Sequence, residues 1–138
     1  MLTSREIDLV QDSFAEVVPI TDAAAAEFYR RLFQIAPDTR ALFRHDMAEQ
    51  GRKLFLTLAT VVDALDRLDT IVPVARELAI RHIGYGARKQ HYAAVGSALL
   101  ETLRVGLGPA FDRDTEAAWI AAYTILSDTM LAAVREKV

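Results

Sequence analysis

"ELAIRHIGYGARKQHYAAVG", residues 77–96, is the stretch on which the reading of this chain turns. An apolar helical stripe runs into it and ends on His82. Gly84 and Gly86 follow at once, and glycine readily takes the left-handed conformation that closes a helix. Arg88-Lys89 reads as a solvated turn, and His91-Tyr92 then opens a second periodic run. The question is why a helix with an otherwise aliphatic inner face should finish on an imidazole.

Working outward, the remaining segments are also helical, and almost nothing in the chain alternates with period two. Ser4 is positioned to cap a first helix with Glu6 and Asp8 in its first turn, and Pro19 stops it. A second runs from about Asp22 to Ile35 with Ala25, Phe28, Tyr29, Leu32 and Phe33 on one face. Pro37 opens a short helical turn ending in Ala41-Leu42-Phe43, and Arg44-His45-Asp46 makes a polar corner. The next helix points Met47, Leu54, Leu58, Val61, Val62 and Leu65 inward. Asp69-Thr70 starts the one that ends at His82; its stripe is Ile71, Val74, Ala75, Leu78 and His82, with Pro73 in the first turns, where a missing N–H costs little. Helices from about Lys89 to Leu107 and from about Asp112 to Lys137 complete the chain. The first carries Tyr92, Val95, Leu99 and Leu103 inward, the second Trp119, Tyr123, Leu126 and Met130. Residues 1–138 therefore read as one all-α domain.

Composition narrows the function. The chain is 52% hydrophobic and 25% charged, as an ordinary globular protein is. With a net charge of −3 and its basic residues dispersed, it lacks the concentrated positive face that nucleic acid requires. There is no cysteine, which excludes disulfides, thiolate metal sites and cysteine nucleophiles. No apolar run is long enough to span a bilayer, and Met1–Glu6 does not read as a signal peptide, so a cytoplasmic location is expected.

Four polar residues fall on inward faces: Tyr29, Gln50, His82 and Tyr92. Gln50 looks the same way as Met47 and Leu54. An unpaired buried polar group costs about 1–3 kcal/mol, so each needs a partner or a task. For any one alone, a satisfied core side chain is the commoner case. His82 differs in kind, because neutral imidazole is also the commonest side-chain metal ligand. A single histidine cannot hold zinc, which wants three or four protein ligands. It can hold haem iron, where the porphyrin supplies four nitrogens. On periodicity alone, both readings of His82 stand.

The sequence resembles the globins, in particular the single-domain bacterial haemoglobins and the globin half of flavohaemoglobins. The resemblance is carried by "EFYRRLF" at 27–33, "LF" at 42–43, "EQGRKL" at 49–54, "RHIGYG" at 81–86, "HYAAVGSALL" at 91–100 and "AAWIAAY" at 117–123. It implies a globin fold, a three-over-three helical sandwich enclosing haem b (iron protoporphyrin IX). It further implies that His82 is the proximal iron ligand and that Phe43 packs flat on the porphyrin. Gln50 and Tyr29 match the distal pair, with Leu54 one turn on from Gln50. Tyr92 matches the tyrosine beneath the haem, while Val95 and Tyr123 look like proximal packing. Lys53, Arg81 and His45 are candidates for the propionates, with His45 alternatively a sixth iron ligand, against the plainer reading of each as a solvated surface charge. His91, at a helix start, reads as a surface or propionate-edge histidine. One place departs from the flavohaemoglobin pattern: the glutamate expected on the last helix falls at Val134, and Glu136 lies about 200° around from it.

The resemblance implies reversible binding of dioxygen, carbon monoxide and nitric oxide, with tight oxygen binding from the Tyr29 and Gln50 donors. Each such bond is worth about 1–2 kcal/mol, roughly five- to thirtyfold in affinity. The alternatives are nitric oxide dioxygenase or pseudoperoxidase activity with a separate electron-donating reductase, a haem-based gas sensor, and a globin fold without haem acting as an interaction module.

Overall fold

The computed structural model describes residues 2–43, 46–84 and 89–137; at Leu68, 81–84, Lys89 and 134–137 it describes the backbone alone. The described residues form six α-helices and no strand. Helix α1 spans Ser4–Val17. Its cap is Thr3 rather than Ser4. Thr3 Oγ1 accepts from the Glu6 backbone N–H at 3.1 Å, and Glu6 Oε1 accepts from the Thr3 N–H at 2.9 Å. This reciprocal box needs the acidic residue three places after the cap, and that spacing selects Thr3. A 3₁₀ turn, Val18–Ile20, contains Pro19 and leads directly into α2, Thr21–Ile35. Helix α2 buries Ala24, Ala25, Phe28, Tyr29 and Leu32. A second 3₁₀ segment, Pro37–Leu42, ends at Phe43, whose N–H donates to the Arg40 carbonyl.

Helix α3, Met47–Asp63, is capped by the Asp46 carboxylate, which accepts the Ala48 N–H at 3.1 Å. Val61, Val62 and, just past the helix, Leu65 are buried as expected. The most deeply buried row of α3, however, runs through Gly51, Phe55 and Val62, and Phe55 stacks on Phe14 at 6.2 Å. Met47, Gln50, Leu54 and Leu58 form a neighbouring half-buried row.

Helix α4, Leu68–Gly84, starts before Asp69, which places Pro73 inside the helix, past its first turn. Proline lacks an N–H, so the Asp69 carbonyl loses its usual i+4 donor. Ile71, Ala75 and Ala79 are buried, but Val74 is 40% exposed, contrary to the expected stripe. The two alanines explain this. Spaced by four with Ile71, they make a smooth row for close packing, and Val74 lies well around the helix from it. By register at about 100° per residue, position 82 falls within the arc spanned by Ile71, Ala75 and Ala79.

Helix α5, Lys89–Leu107, is followed by the 3₁₀ turn Gly108–Ala110 and by α6, Arg113–Lys137. Asp112 caps α6 by accepting the Thr115 N–H at 2.9 Å, a bond that holds its carboxyl below the usual carboxylate range. Trp119 Nε1 donates to Ser13 Oγ at 2.8 Å, and the Ser13 hydroxyl donates to the Leu9 carbonyl at 2.6 Å, which satisfies the buried indole.

Helix α2 packs on α3 and α5, while α6 packs on α1, α4 and α5, and α1 also touches α3 and α5. The crossing of α2 on α3 is close. A Cβ on Gly51 would stand 2.7 Å from the Ala25 Cβ and 3.9 Å from Tyr29 Cε2. Gly51→Ala gains about 1 kcal/mol of helix propensity. Overpacking against a methyl that cannot rotate away costs about 1–3 kcal/mol and outweighs it. We therefore expect a lower urea midpoint for Gly51→Ala, a still lower one for Gly51→Val, and partial recovery when Ala25→Gly is added to Gly51→Ala. A Gly51→Ala chain as stable as wild type would show that the helices part freely.

Candidate functional site

Tyr29 sits in the middle of α2 and is only 7% exposed. Phe28 meets it edge-on at 5.1 Å, Phe43 edge-on at 5.1 Å, and Phe33 stacks at 6.0 Å. Phe33 and Phe43 also touch, at 5.8 Å, and the Arg40 guanidinium covers Phe33 from outside at 5.1 Å. The 3₁₀ segment Pro37–Leu42 folds back on α2 and delivers Phe43 to this cluster. Among the described residues, none hydrogen-bonds the Tyr29 hydroxyl. Burial pushes its pKa up to about 12, so the phenol is a neutral donor at any ordinary pH.

Gln50 stands immediately before Gly51, the residue that abuts the edge of the Tyr29 ring. Its amide is half-buried and has no hydrogen-bond partner among the described residues. Leu54, one turn further along, is half-buried in the same row. The α2–α3 crossing thus brings Tyr29 together with the α3 segment that carries Gln50 and Leu54.

At the start of α5, Tyr92 is buried, and burial raises its hydroxyl above the ordinary phenol value. Its backbone carbonyl accepts the Tyr123 hydroxyl at 2.6 Å. Gly96 makes this contact feasible, since a Cβ there would lie 2.8 Å from the Tyr123 ring. Burial raises the Tyr123 phenol strongly, and the nearby Tyr92 raises it further. Val95 is half-buried beside them.

Lys53 points to solvent, its Nζ 3.7 Å from Glu49 Oε1 one turn back. The side chains of Arg81, His82, Val134 and Glu136, and the whole of His45, lie outside the described residues. Among the described residues no group of three or more His, Cys, Asp or Glu side chains is placed to hold a metal ion. His91 is neither exposed nor at an open edge: it is 5% exposed, with Nε2 2.8 Å from Asp38 Oδ2. Its position at a helix start suggested a surface residue, and the partner, 53 residues away, is not detectable from local pattern. Phe55 was missed in the same way, because it is flanked by Leu54 and Leu56 and nothing local singles it out.

Residues 26–130 match the family model described as Globin. The chain belongs to the globin family. It is 29% identical over 134 residues to a flavohemoprotein from Vibrio cholerae, an alignment covering 95% of this chain and 34% of that protein. A flavohemoprotein from Bordetella parapertussis is 32% identical over 113 residues, 80% of this chain and 28% of the relative. The chain thus spans about a third of the length of the flavohemoproteins it matches. Its fold is that of a bacterial globin from Campylobacter jejuni, with a TM-score of 0.84, 23% identity and 97% of both chains covered. No helix among the described residues is long and apolar enough to cross a membrane.

The raised phenols make a prediction for alkaline pH. A tyrosine whose folded pKa exceeds its unfolded value, near 10, keeps its proton in the fold while the unfolded chain loses it. Stability is therefore unaffected below about pH 10 and falls as pH rises from there towards 12. The urea midpoint should drop across that interval in wild type and drop less in Tyr29→Phe. An equal drop in both would mean that the Tyr29 hydroxyl is not desolvated.

Proposed function

We propose that this globin binds haem b through His82 and reversibly holds diatomic gases, dioxygen foremost, on the Tyr29 and Gln50 side. The single observation that carries the reading is Tyr29: its ring is packed among Phe28, Phe33 and Phe43, and its neutral hydroxyl has no hydrogen-bond partner among the described residues. The hydroxyl is not sealed off, since no side-chain oxygen among the described residues is both fully buried and unpaired, so it remains available to donate to a bound acceptor.

The residues present fit a porphyrin. Met47, Leu54, Leu58, Phe33, Phe43, Leu78 and Val95 pack against the core yet remain only partly covered by protein. A large flat apolar group would complete their burial. Haem, when bound, supplies an iron with one coordination position open to a gas. In this reading His82 is the iron ligand, and Phe43, Leu54, Val95 and Tyr92 pack around the macrocycle. Lys53, Arg81 and His45 are the cations assigned to the propionate edge. Tyr29 and Gln50 donate to the gas, and they favour dioxygen over carbon monoxide because dioxygen offers the more polar acceptor. One domain, residues 1–138, does this in the cytoplasm.

Nitric oxide dioxygenation is the second reading, favoured by the similarity to flavohemoproteins. It requires an electron-donating reductase as a partner. Nitrate formed over many turnovers with such a reductase would make it the primary activity.

Two donors in an apolar pocket should slow gas release. Stopped-flow displacement of dioxygen by carbon monoxide should show Tyr29→Phe releasing oxygen roughly tenfold faster than wild type, with a smaller acceleration for Gln50→Leu. A Tyr29→Phe rate no faster than wild type would remove the basis of the distal assignment.

A further inference from the structure

Two elements that flank the proposed pocket are joined by a contact remote in sequence. His91 is the third residue of α5, one place before Tyr92, and its imidazole is almost wholly buried. Asp38 is the second residue of the Pro37–Leu42 segment, which ends at Phe43, and its side chain is 63% exposed. Asp38 Oδ2 nevertheless reaches in to 2.8 Å from His91 Nε2.

The local hydrogen bonds of the Pro37–Leu42 segment do not fix its distance from α5. The Thr39 N–H and hydroxyl both donate to the Ala36 carbonyl, and the Phe43 N–H donates to Arg40. These bonds shape the turn, and the Phe43 ring anchors it to Tyr29 and Phe33 of α2, but neither ties it to α5. The Asp38 carboxylate supplies such a tie. A buried imidazole nitrogen has little access to water, so its orientation follows its partner.

We propose that His91 and Asp38 form a clip that sets the spacing between the Phe43 corner and Tyr92, and thereby governs how slowly the chain gives up haem. The proposal rests on the haem reading above. His91 is a positioning residue in this scheme: it acts through the two aromatic side chains next to it in the chain and across the clip. Opening the clip lets the Phe43 corner drift from α5, and an apolar ring held between them escapes more easily.

The test is the rate at which haem-loaded protein loses haem to an excess of an acceptor apoprotein, followed by absorbance. Asp38→Ala, a surface change, and His91→Leu should each speed loss about three- to tenfold, as expected for one partly exposed charge-assisted bond. The double variant should speed loss by less than the product of the two single effects, because both singles remove the His91–Asp38 bond. His91→Gln, whose amide nitrogen takes the place of Nε2 as a donor, should restore most of the slow rate. Wild-type rates in both single variants would overturn the proposal while leaving haem binding intact. Loss as fast in His91→Gln as in His91→Leu would overturn it too, by assigning the effect to packing of the ring. A wild-type chain that takes up no haem overturns the proposal together with the reading beneath it.

Discussion

The rest of the architecture depends on the close approach of α2 to α3. A side chain at Gly51 would collide with the Ala25 methyl at 2.7 Å, so the crossing exists only because one partner has no Cβ and the other nothing beyond it. That approach puts the Tyr29 ring against α3 at the residue after Gln50. It also turns α3 so that Gly51, Phe55 and Val62 fill the core while Met47, Gln50, Leu54 and Leu58 are left partly open. A wider crossing would separate Tyr29 from Gln50 and close neither row.

On either side of the proposed haem the chain places phenols rather than charges. Tyr29 is enclosed by Phe28, Phe33 and Phe43, and Tyr92 is held through its own backbone carbonyl by Tyr123. Burial raises all three phenols, so they stay protonated and keep their donors. Carboxylates in such surroundings would carry a heavy desolvation cost or take up a proton. In the proposed reading, these surroundings suit a porphyrin and leave neutral donors for a polar diatomic ligand.

Helix number, order and approximate bounds were legible in the sequence, because each helix carries its own apolar stripe and most are separated by proline or glycine. The details that were not legible are those set by a neighbour. Thr3 caps α1 because Glu6 answers it, and Pro73 lies inside α4 because the helix begins at Leu68. Val74 is displaced from the core by the alanine row at 75 and 79, and Phe55 outranks Leu54 because α3 is rotated by its contact with α2. At the candidate site, Phe43 was indicated only by the family resemblance, whereas Tyr29 and Tyr92 could be singled out as polar residues on apolar faces. The burial of His91 could not, since it depends on Asp38 across the fold.

The central claim is that this chain holds haem iron through the imidazole at position 82. The most direct measurement is the absorption spectrum of purified wild type and of His82→Ala after haem addition, each ferric, ferrous and under carbon monoxide. The account predicts that wild type takes up one haem per chain with the bands of histidine-ligated iron, and that His82→Ala loses them until free imidazole is supplied. Equal haem uptake and identical spectra in the two proteins would contradict it.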